Sequence, residues 1–210
     1  MALEFLYRDA AKPARVALFP GSWNPPTIAH AAIARAARSW ADEVVWILPR
    51  AMPHKTWEGA RFEDRRRMIE LLARAAEGFS AAVSEGGLYA DIAREAREFF
   101  APGTEIALVL GRDAAERIAG WDYGPDAPDA FEKLIAAHPL LVAAREGEYA
   151  PEARHRGRIV TLPFPAHDDV SSSEVRRRIA AGEPWRHLVP EGIASLVAGI
   201  YGVDSSNATR

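Results

Sequence analysis

"RVALFPGSWNPPTIAH", residues 15–30, takes the chain from a mostly apolar run through a turn and into a helix. The run at 15–19 has the length and composition of a short buried strand, and the alanine-rich segment at 28–40 is typical of a helix. In the turn between them, Gly21 permits a tight bend and a close approach of the backbone to a ligand, while two adjacent prolines stiffen the loop. The chain is therefore predicted to open on a strand–turn–helix unit.

The same alternation of apolar runs and helical segments continues to the end of the chain. Further strands are predicted over 43–49, 79–85, 105–111, 139–145 and 158–164, and further helices over 61–77, 89–100, 113–121, 171–182 and 190–202. Short continuous apolar strands between helices indicate an α/β fold, an open and mostly parallel sheet with helices on both faces.

No linker divides the chain, so we expect a single domain over 15–202. An N-terminal extension is expected over 1–14 and a flexible C-terminal tail over 203–210. A segment rich in proline, aspartate and glycine, 122–130, is predicted to be an inserted loop.

Composition limits the classes of function. The 210 residues carry a net charge of −3, so no overall basic excess indicates a nucleic-acid partner, and an anionic ligand must be bound by local clusters. The absence of cysteine excludes disulfides, thiolate metal sites and thiol catalysis. No signal-like segment and no apolar stretch of membrane-spanning length is found, so a cytoplasmic location is expected. The sequence leaves open whether the protein forms a homo-oligomer.

The first turn has the features of an anion site. In open parallel sheets, ligands bind beyond the carboxyl ends of the strands, where helix N-termini present free N–H groups. Thr27 can cap the helix that follows, and His30 in its first turn can donate to a phosphate oxygen. The same residues also fit an ordinary capped turn with a surface histidine.

A second candidate lies far along the chain in "VSSSEVRRR", residues 170–178. Ser171 and Glu174 fit a capping box at a helix N-terminus, with Arg176 in the second turn. Taken alone, the segment fits a well-capped helix with a solvated basic face equally well.

Both stretches resemble signatures of one superfamily. "GSWNPPTIAH" resembles the nucleotidyltransferase motif G-S/T-F-D/N-P-x-H/T-x-x-H, and "VSSSEVR" resembles its second motif, I-S-S-T-x-I/V-R. The superfamily includes the nicotinate- and nicotinamide-mononucleotide adenylyltransferases, and the resemblance to the bacterial nicotinate-type enzymes extends from Val16 to Gly202. The resemblance implies a Rossmann-like form of the predicted sheet.

The resemblance also implies roles for individual residues. It implies catalytic roles for Thr27, His30, Lys55 and Arg176, nucleotide binding by Gly21, Ser22, Trp23, Gly111, Asp113, Ser172 and Ser173, and acceptor binding by Asn24, Tyr89, Trp121 and Arg145. Lys55 belongs to a Pro-His-Lys segment, and Asp113 belongs to a G-x-D at the end of a strand, where it could also cap a helix.

The reaction implied is transfer of an adenylyl group from ATP to nicotinate mononucleotide, or to the nicotinamide form, with release of pyrophosphate. A phosphate ester is largely ionised at neutral pH, so alignment and charge stabilisation matter more than a general base. We expect Mg²⁺ to be carried chiefly by the ATP phosphates, because no carboxylate cluster has the form of a metal cage.

The acceptor is the open question. Bacterial nicotinate-type enzymes usually carry Ser-Tyr-Thr after the third strand, whereas this chain has "GGLYADIARE" at 86–95 and keeps only Tyr89. A relative with another acceptor or with CTP stays an alternative, as does a nucleotide-binding sensor without catalysis. A dehydrogenase is disfavoured because the first turn lacks G-x-G-x-x-G.

Overall fold

The structure is a computed structural model that describes residues 3–9, 12–51, 59–144, 149–163, 167 and 169–202. Its strands are β1 (Glu4–Tyr7), β2 (Arg15–Pro20), β3 (Glu43–Pro49), β4 (Phe79–Ser84), β5 (Glu105–Gly111), β6 (Leu140–Ala143) and β7 (Ile159–Leu162). Its α-helices are α1 (Ile28–Ala37), α2 (Phe62–Arg74), α3 (Tyr89–Arg97), α4 (Arg112–Ala119), α5 (Ala130–Ala137), α6 (Ser172–Ala181) and α7 (Glu191–Tyr201). Short 3₁₀ turns span Ala153–His155 and Arg186–Leu188.

All of these strands belong to one sheet, in the order β1-β4-β3-β2-β5-β6-β7. The pairs from β4 to β7 are parallel, and β1 runs antiparallel along the edge of β4. The prediction of an α/β fold with a mostly parallel sheet is confirmed, and the predicted elements agree with the observed ones to within a few residues at each end.

Two hydrophobic layers cover the two faces of the sheet. Side chains that alternate along β2 enter different layers: Leu18 packs with Ile92 of α3, and Phe19 packs with Ile33 of α1 and Ile69 of α2. Helices α4 and α5 share the layer of α3. Burial on both faces explains why the strands are continuous apolar runs in the sequence.

Two elements are absent from the sequence-based prediction. Strand β1 lies within residues 1–14, and it is short, partly exposed and confined to an edge, so its pattern carries little signal. Helix α5 begins at Ala130, at the end of the predicted 122–130 loop, and the loop's helix-breaking composition hides its start. The predicted tail, 203–210, lies outside the described residues. No helix in the described parts of the chain is long and apolar enough to cross a membrane.

The sheet opens at one point of its carboxyl edge. From β2 the chain proceeds to β3 and β4 on one side, then returns to β5 on the other side of β2. Pairing of β2 with β5 ends at Leu18 and Leu108, after which β2 pairs only with β3, and β5 only with β6. The strand ends separate there, which is where open α/β sheets bind their ligands.

Candidate functional site

A cavity of about 280 Å³ lies at this separation of β2 and β5. Among the described residues it is lined by Phe19, Pro20, Gly21, Ser22, Trp23, Ala29, His30, Ile33, Pro49, Gly87, Tyr89, Ile92, Val109, Leu110, Gly111, Ala114 and Arg117. No aspartate or glutamate is in that set, so its charged and polar groups suit an anionic ligand.

Thr27 and His30 form a closed pair at the start of α1. Thr27 is fully buried, and its Oγ1 accepts from the His30 backbone N–H at 3.4 Å. In return, His30 Nδ1 accepts from the Thr27 backbone N–H at 3.1 Å and lies 2.9 Å from Thr27 Oγ1. Because a backbone N–H can only donate, Nδ1 is an acceptor and the ring N–H is at Nε2. The predicted helix cap is confirmed, and it fixes the orientation of the imidazole.

Trp23 lies beneath this pair. Its backbone has a positive φ of 48°, a conformation that costs a residue with a side chain about 1–2 kcal/mol. Burial of the ring and a 2.7 Å hydrogen bond from Nε1 to the Ile47 carbonyl hold it there. The indole packs edge-on against His30, with ring centroids 5.3 Å apart. The only polar group of this predicted nucleotide-binding side chain is therefore used inside the protein.

The requirement for glycine at position 21 has a different origin from the expected ligand approach. A Cβ at Gly21 would lie 2.7 Å from the Trp23 ring, so the glycine makes room for the indole. At Gly111, by contrast, no atom of the described residues lies within 4 Å of a Cβ position. Gly111 borders open space in the cavity, in agreement with close approach of a ligand.

Asn24 connects distant parts of the chain. Its Oδ1 accepts hydrogen bonds from the Tyr201 hydroxyl at 2.6 Å and the Ala60 N–H at 3.1 Å. Gly59 has φ +76°, and a Cβ there would lie 2.7 Å from Asn24 Oδ1. Asn24 is buried and is not among the described lining residues, so in this structure it connects parts of the chain; its contact with the acceptor stays a prediction.

Helix α6 is attached to the same loop. The Ser172 hydroxyl donates to the Pro25 carbonyl at 2.7 Å, and Arg176 Nη1 donates to the Asn24 carbonyl at 2.6 Å. Arg176 Nη2 lies 3.3 Å from Ser173 Oγ, and Ser171 caps the helix. These residues adjoin the cavity-lining loop without belonging to the described cavity wall. The two signatures are thus brought together in space.

Arg65 supports the loop from α2, and the sequence assigned it no role in the site. The guanidinium is 2% exposed and donates to the carbonyls of Ser22, at 3.1 Å, and Ala60, at 2.8 Å. Burial lowers its pKa, and nearby Arg176 lowers it further. The sequence feature that could have indicated this role is the position of Arg65 within the apolar stripe of an amphipathic helix.

Helices α3 and α4 line the end of the cavity that lies on the other face of the sheet from α1. Tyr89, the first residue of α3, lines the cavity, and burial raises its pKa to about 12. Its contact with the acceptor stays a prediction. Arg117 of α4 lines the same end, a residue that the sequence did not single out.

Asp113 is exposed in the first turn of α4 and is not a lining residue. The expectation that it caps the helix is wrong, because the N-cap is Gly111. Trp121 is 48% exposed beyond the end of α4, and the described cavity wall does not include it. Lys55 and Arg145 lie outside the described residues, so their predicted roles stay predictions.

That Mg²⁺ is carried chiefly by the ATP phosphates stays a prediction. Within the described ranges, no group of three or more histidine, cysteine, aspartate or glutamate side chains could hold a metal ion. Mg²⁺ prefers oxygen ligands, and the phosphates of a bound nucleotide would supply them.

Comparisons with known proteins agree with this geometry. The family model described as cytidylyltransferase-like matches residues 18–178. A protein of Anaeromyxobacter dehalogenans strain 2CP-1, named "Probable nicotinate-nucleotide adenylyltransferase", is 34% identical over 199 residues, covering 89% of this chain and 96% of that protein. A Stenotrophomonas maltophilia protein of the same name is 30% identical over 87% of this chain and 95% of its own length.

A solved structure also has the same fold. The nicotinic acid mononucleotide adenylyltransferase of Plasmodium falciparum, complexed with NaAD, superimposes with a TM-score of 0.69 at 17% identity. The match covers 88% of this chain and 95% of that one.

Proposed function

We infer that this chain, which belongs to the cytidylyltransferase-like family and within it to the nicotinate-nucleotide adenylyltransferases, transfers the adenylyl group of ATP to nicotinate mononucleotide. The products are the dinucleotide and pyrophosphate, and the step belongs to NAD biosynthesis. Adenylyl transfer follows from the family, and preference for the nicotinate over the nicotinamide acceptor is the finer part of the proposal.

One observation carries the proposal: two helix N-termini share one loop. The Thr27-capped start of α1 and the Ser171-capped start of α6 are linked through Ser172 and Arg176, which donate to carbonyls of that loop. Free N–H groups and positive dipole ends at two adjoining sites suit a substrate with several phosphates. A single anion would need only one of them.

In the proposed reaction, an oxygen of the acceptor phosphate attacks the α-phosphorus of ATP, and the bond from that phosphorus to the β-phosphate bridging oxygen breaks. His30 holds a proton at Nε2 and donates it as a hydrogen bond to an α-phosphate oxygen as charge develops there. Thr27 keeps the ring in that orientation. Arg176 and the α6 N-terminus stabilise the departing pyrophosphate. Lys55 is the further cation implied by the resemblance.

ATP enters as its magnesium complex, so the ion is part of the substrate and neutralises phosphate charge. Of the remaining predicted residues, Gly21, Ser22, Trp23 and Gly111 would form the wall along the nucleotide, and Tyr89 would border the acceptor. A cytoplasmic location also stays a prediction.

The experiment is pyrophosphate release by the purified protein with Mg-ATP, using nicotinate and nicotinamide mononucleotides separately. We expect release and dinucleotide formation, with nicotinate mononucleotide the better acceptor. His30→Ala should lower kcat by about 100-fold or more while ATP still binds, because one donor to the transition state is lost.

His187→Ala is the matched control, since this exposed histidine follows α6 and contacts Arg178. It should leave kcat unchanged. Release with neither mononucleotide, despite ATP binding, would favour another acceptor. Near-normal turnover by His30→Ala would remove that residue from the mechanism.

A further inference from the structure

The far end of the cavity presents a cation, Arg117, that has no ion-pair partner among the described residues. Within that part of the chain Arg117 makes no hydrogen bond or salt bridge, although Asp113 is placed four residues earlier on the same helix, where a pair could form. The neighbouring Arg112 and Glu116 do form such a pair, 2.8 Å apart. Arg117 instead contributes to the cavity wall.

Arg117 and His30 line the cavity from different helices, α4 and α1. Helix α1, which carries His30, packs on the other face of the sheet from α3 and α4. A ligand with its phosphate at His30 and its body across the strand edge would therefore extend toward Arg117.

The surroundings of Arg117 suit a flat ring with an anionic substituent. The described lining residues at this end are Gly87, Tyr89, Ile92 and Ala114, none of them negatively charged. Ile92 and Ala114 offer apolar surface, and the Tyr89 hydroxyl, with a pKa raised by burial to about 12, adds no negative charge. A guanidinium binds a carboxylate through two parallel hydrogen bonds that are strengthened by the opposite charges. A carboxamide is neutral and lacks that charge.

We propose that Arg117 reads the acceptor's pyridine carboxylate and thereby selects nicotinate mononucleotide over its nicotinamide counterpart. The proposal rests on the proposed function and adds a specificity residue to it. It also supplies a charged acceptor contact from α4 in a chain whose segment at 86–95 keeps only the tyrosine of the usual Ser-Tyr-Thr.

The test is calorimetric titration of each mononucleotide into the wild-type protein and its variants, a measurement that needs no turnover. The wild type should bind nicotinate mononucleotide more tightly. Arg117→Gln should weaken that binding about tenfold and leave nicotinamide mononucleotide within about twofold, because only the carboxylate loses a charged partner. Arg117→Lys should retain part of the preference, since it keeps the charge without the fork.

Arg94→Gln is the control, because it removes the same charge from the exposed surface of α3, where Arg94 pairs with Asp91 at 2.9 Å. It should change neither affinity. Equal weakening of both mononucleotides by Arg117→Gln would assign Arg117 to the shared phosphate and overturn the proposal. Unchanged binding, or a wild type that binds neither mononucleotide, would overturn it too.

Pyrophosphate release, measured in parallel, tests the proposed function separately. Carboxylate-dependent binding without release would contradict adenylyl transfer and leave the role of Arg117 supported. If Arg117→Gln releases pyrophosphate and still prefers nicotinate mononucleotide as the wild type does, adenylyl transfer is supported and the role of Arg117 is contradicted.

Discussion

At the scale of single residues, most polar groups of the first loop are already occupied within the protein. Trp23 donates to a carbonyl of β3. Asn24 accepts from Tyr201 of α7 and from the backbone N–H of Ala60, which precedes α2. His30 also lines the cavity, and Thr27 orients its ring. Within the loop signature, the polar groups of Trp23 and Asn24 are thus used inside the protein, whereas His30 has a place in the cavity wall.

Thr27→Val tests this distinction, since valine keeps the shape of the side chain and removes the hydroxyl. We expect about 1 kcal/mol less stability from loss of the helix cap, together with a severalfold fall in kcat from a less ordered imidazole. Thr27→Ser keeps the hydroxyl and should retain both properties. Thermal unfolding and steady-state kinetics check the prediction, and a Thr27→Val variant with wild-type kcat would contradict it.

At the scale of elements, the site is assembled by helices that come from both ends of the chain. Helix α7 ends at Tyr201, which bonds to Asn24 across 177 residues, and α6 bonds to the same loop across 147 and 152 residues. Because all three hydrogen bonds involve the loop at residues 24–25, the C-terminal helices support the phosphate-binding turn as well as the core.

Tyr201→Phe removes only the hydroxyl that donates to Asn24 Oδ1. We expect a loss of about 1 kcal/mol in stability and, in addition, weaker ATP binding, because α7 no longer fixes the loop. Tyr123→Phe is the matched control, since its hydroxyl donates at 2.9 Å to the local Ile118 carbonyl. It should lose comparable stability and bind ATP normally. Identical ATP affinities in the two variants would contradict the connection to function.

At the scale of the whole molecule, a buried carboxyl at the amino edge of the sheet makes stability depend on pH. Glu43, the first residue of β3, is fully buried and accepts from Ser80, while its Oε2 has no hydrogen-bond partner among the described residues. Burial raises its pKa above the ordinary value of 4.5, and Asp9 raises it further. Ser80, Arg8 and Arg38 act in the opposite direction.

A raised folded-state pKa means that the native protein keeps this proton when the unfolded chain has lost it. The contribution to stability is complete below about pH 4.5 and declines as pH rises through the folded-state pKa. Glu43→Gln should therefore be more stable than the wild type at pH 8, with the difference shrinking on acidification.

Denaturant unfolding over a range of pH measures this difference. Glu105→Gln is the control. Glu105 is the exposed first residue of β5, and its Oε2 lies 3.6 Å from Arg15 Nε. It should show little effect at any pH. A Glu43→Gln variant that is less stable than the wild type at pH 8 would contradict the prediction.

The amino-acid sequence by itself determined the α/β class, the mostly parallel sheet and, through two short signatures, the family, which the relatives confirm. These features are local: strand and helix periods, a capped turn after β2 and a capped helix at α6 are fixed by neighbouring residues. The edge strand β1 and helix α5 were not predicted from the sequence because their local patterns are weak.

Only the tertiary structure decided which residues meet and which donors are already used. It placed Asn24 and Trp23 inside the support of the loop, brought Arg65 and Tyr201 to that loop, and put Arg117 rather than Trp121 in the described cavity wall. The physical reason is that such contacts depend on how helices pack across the sheet, over separations of more than 100 residues, and no local pattern records that packing.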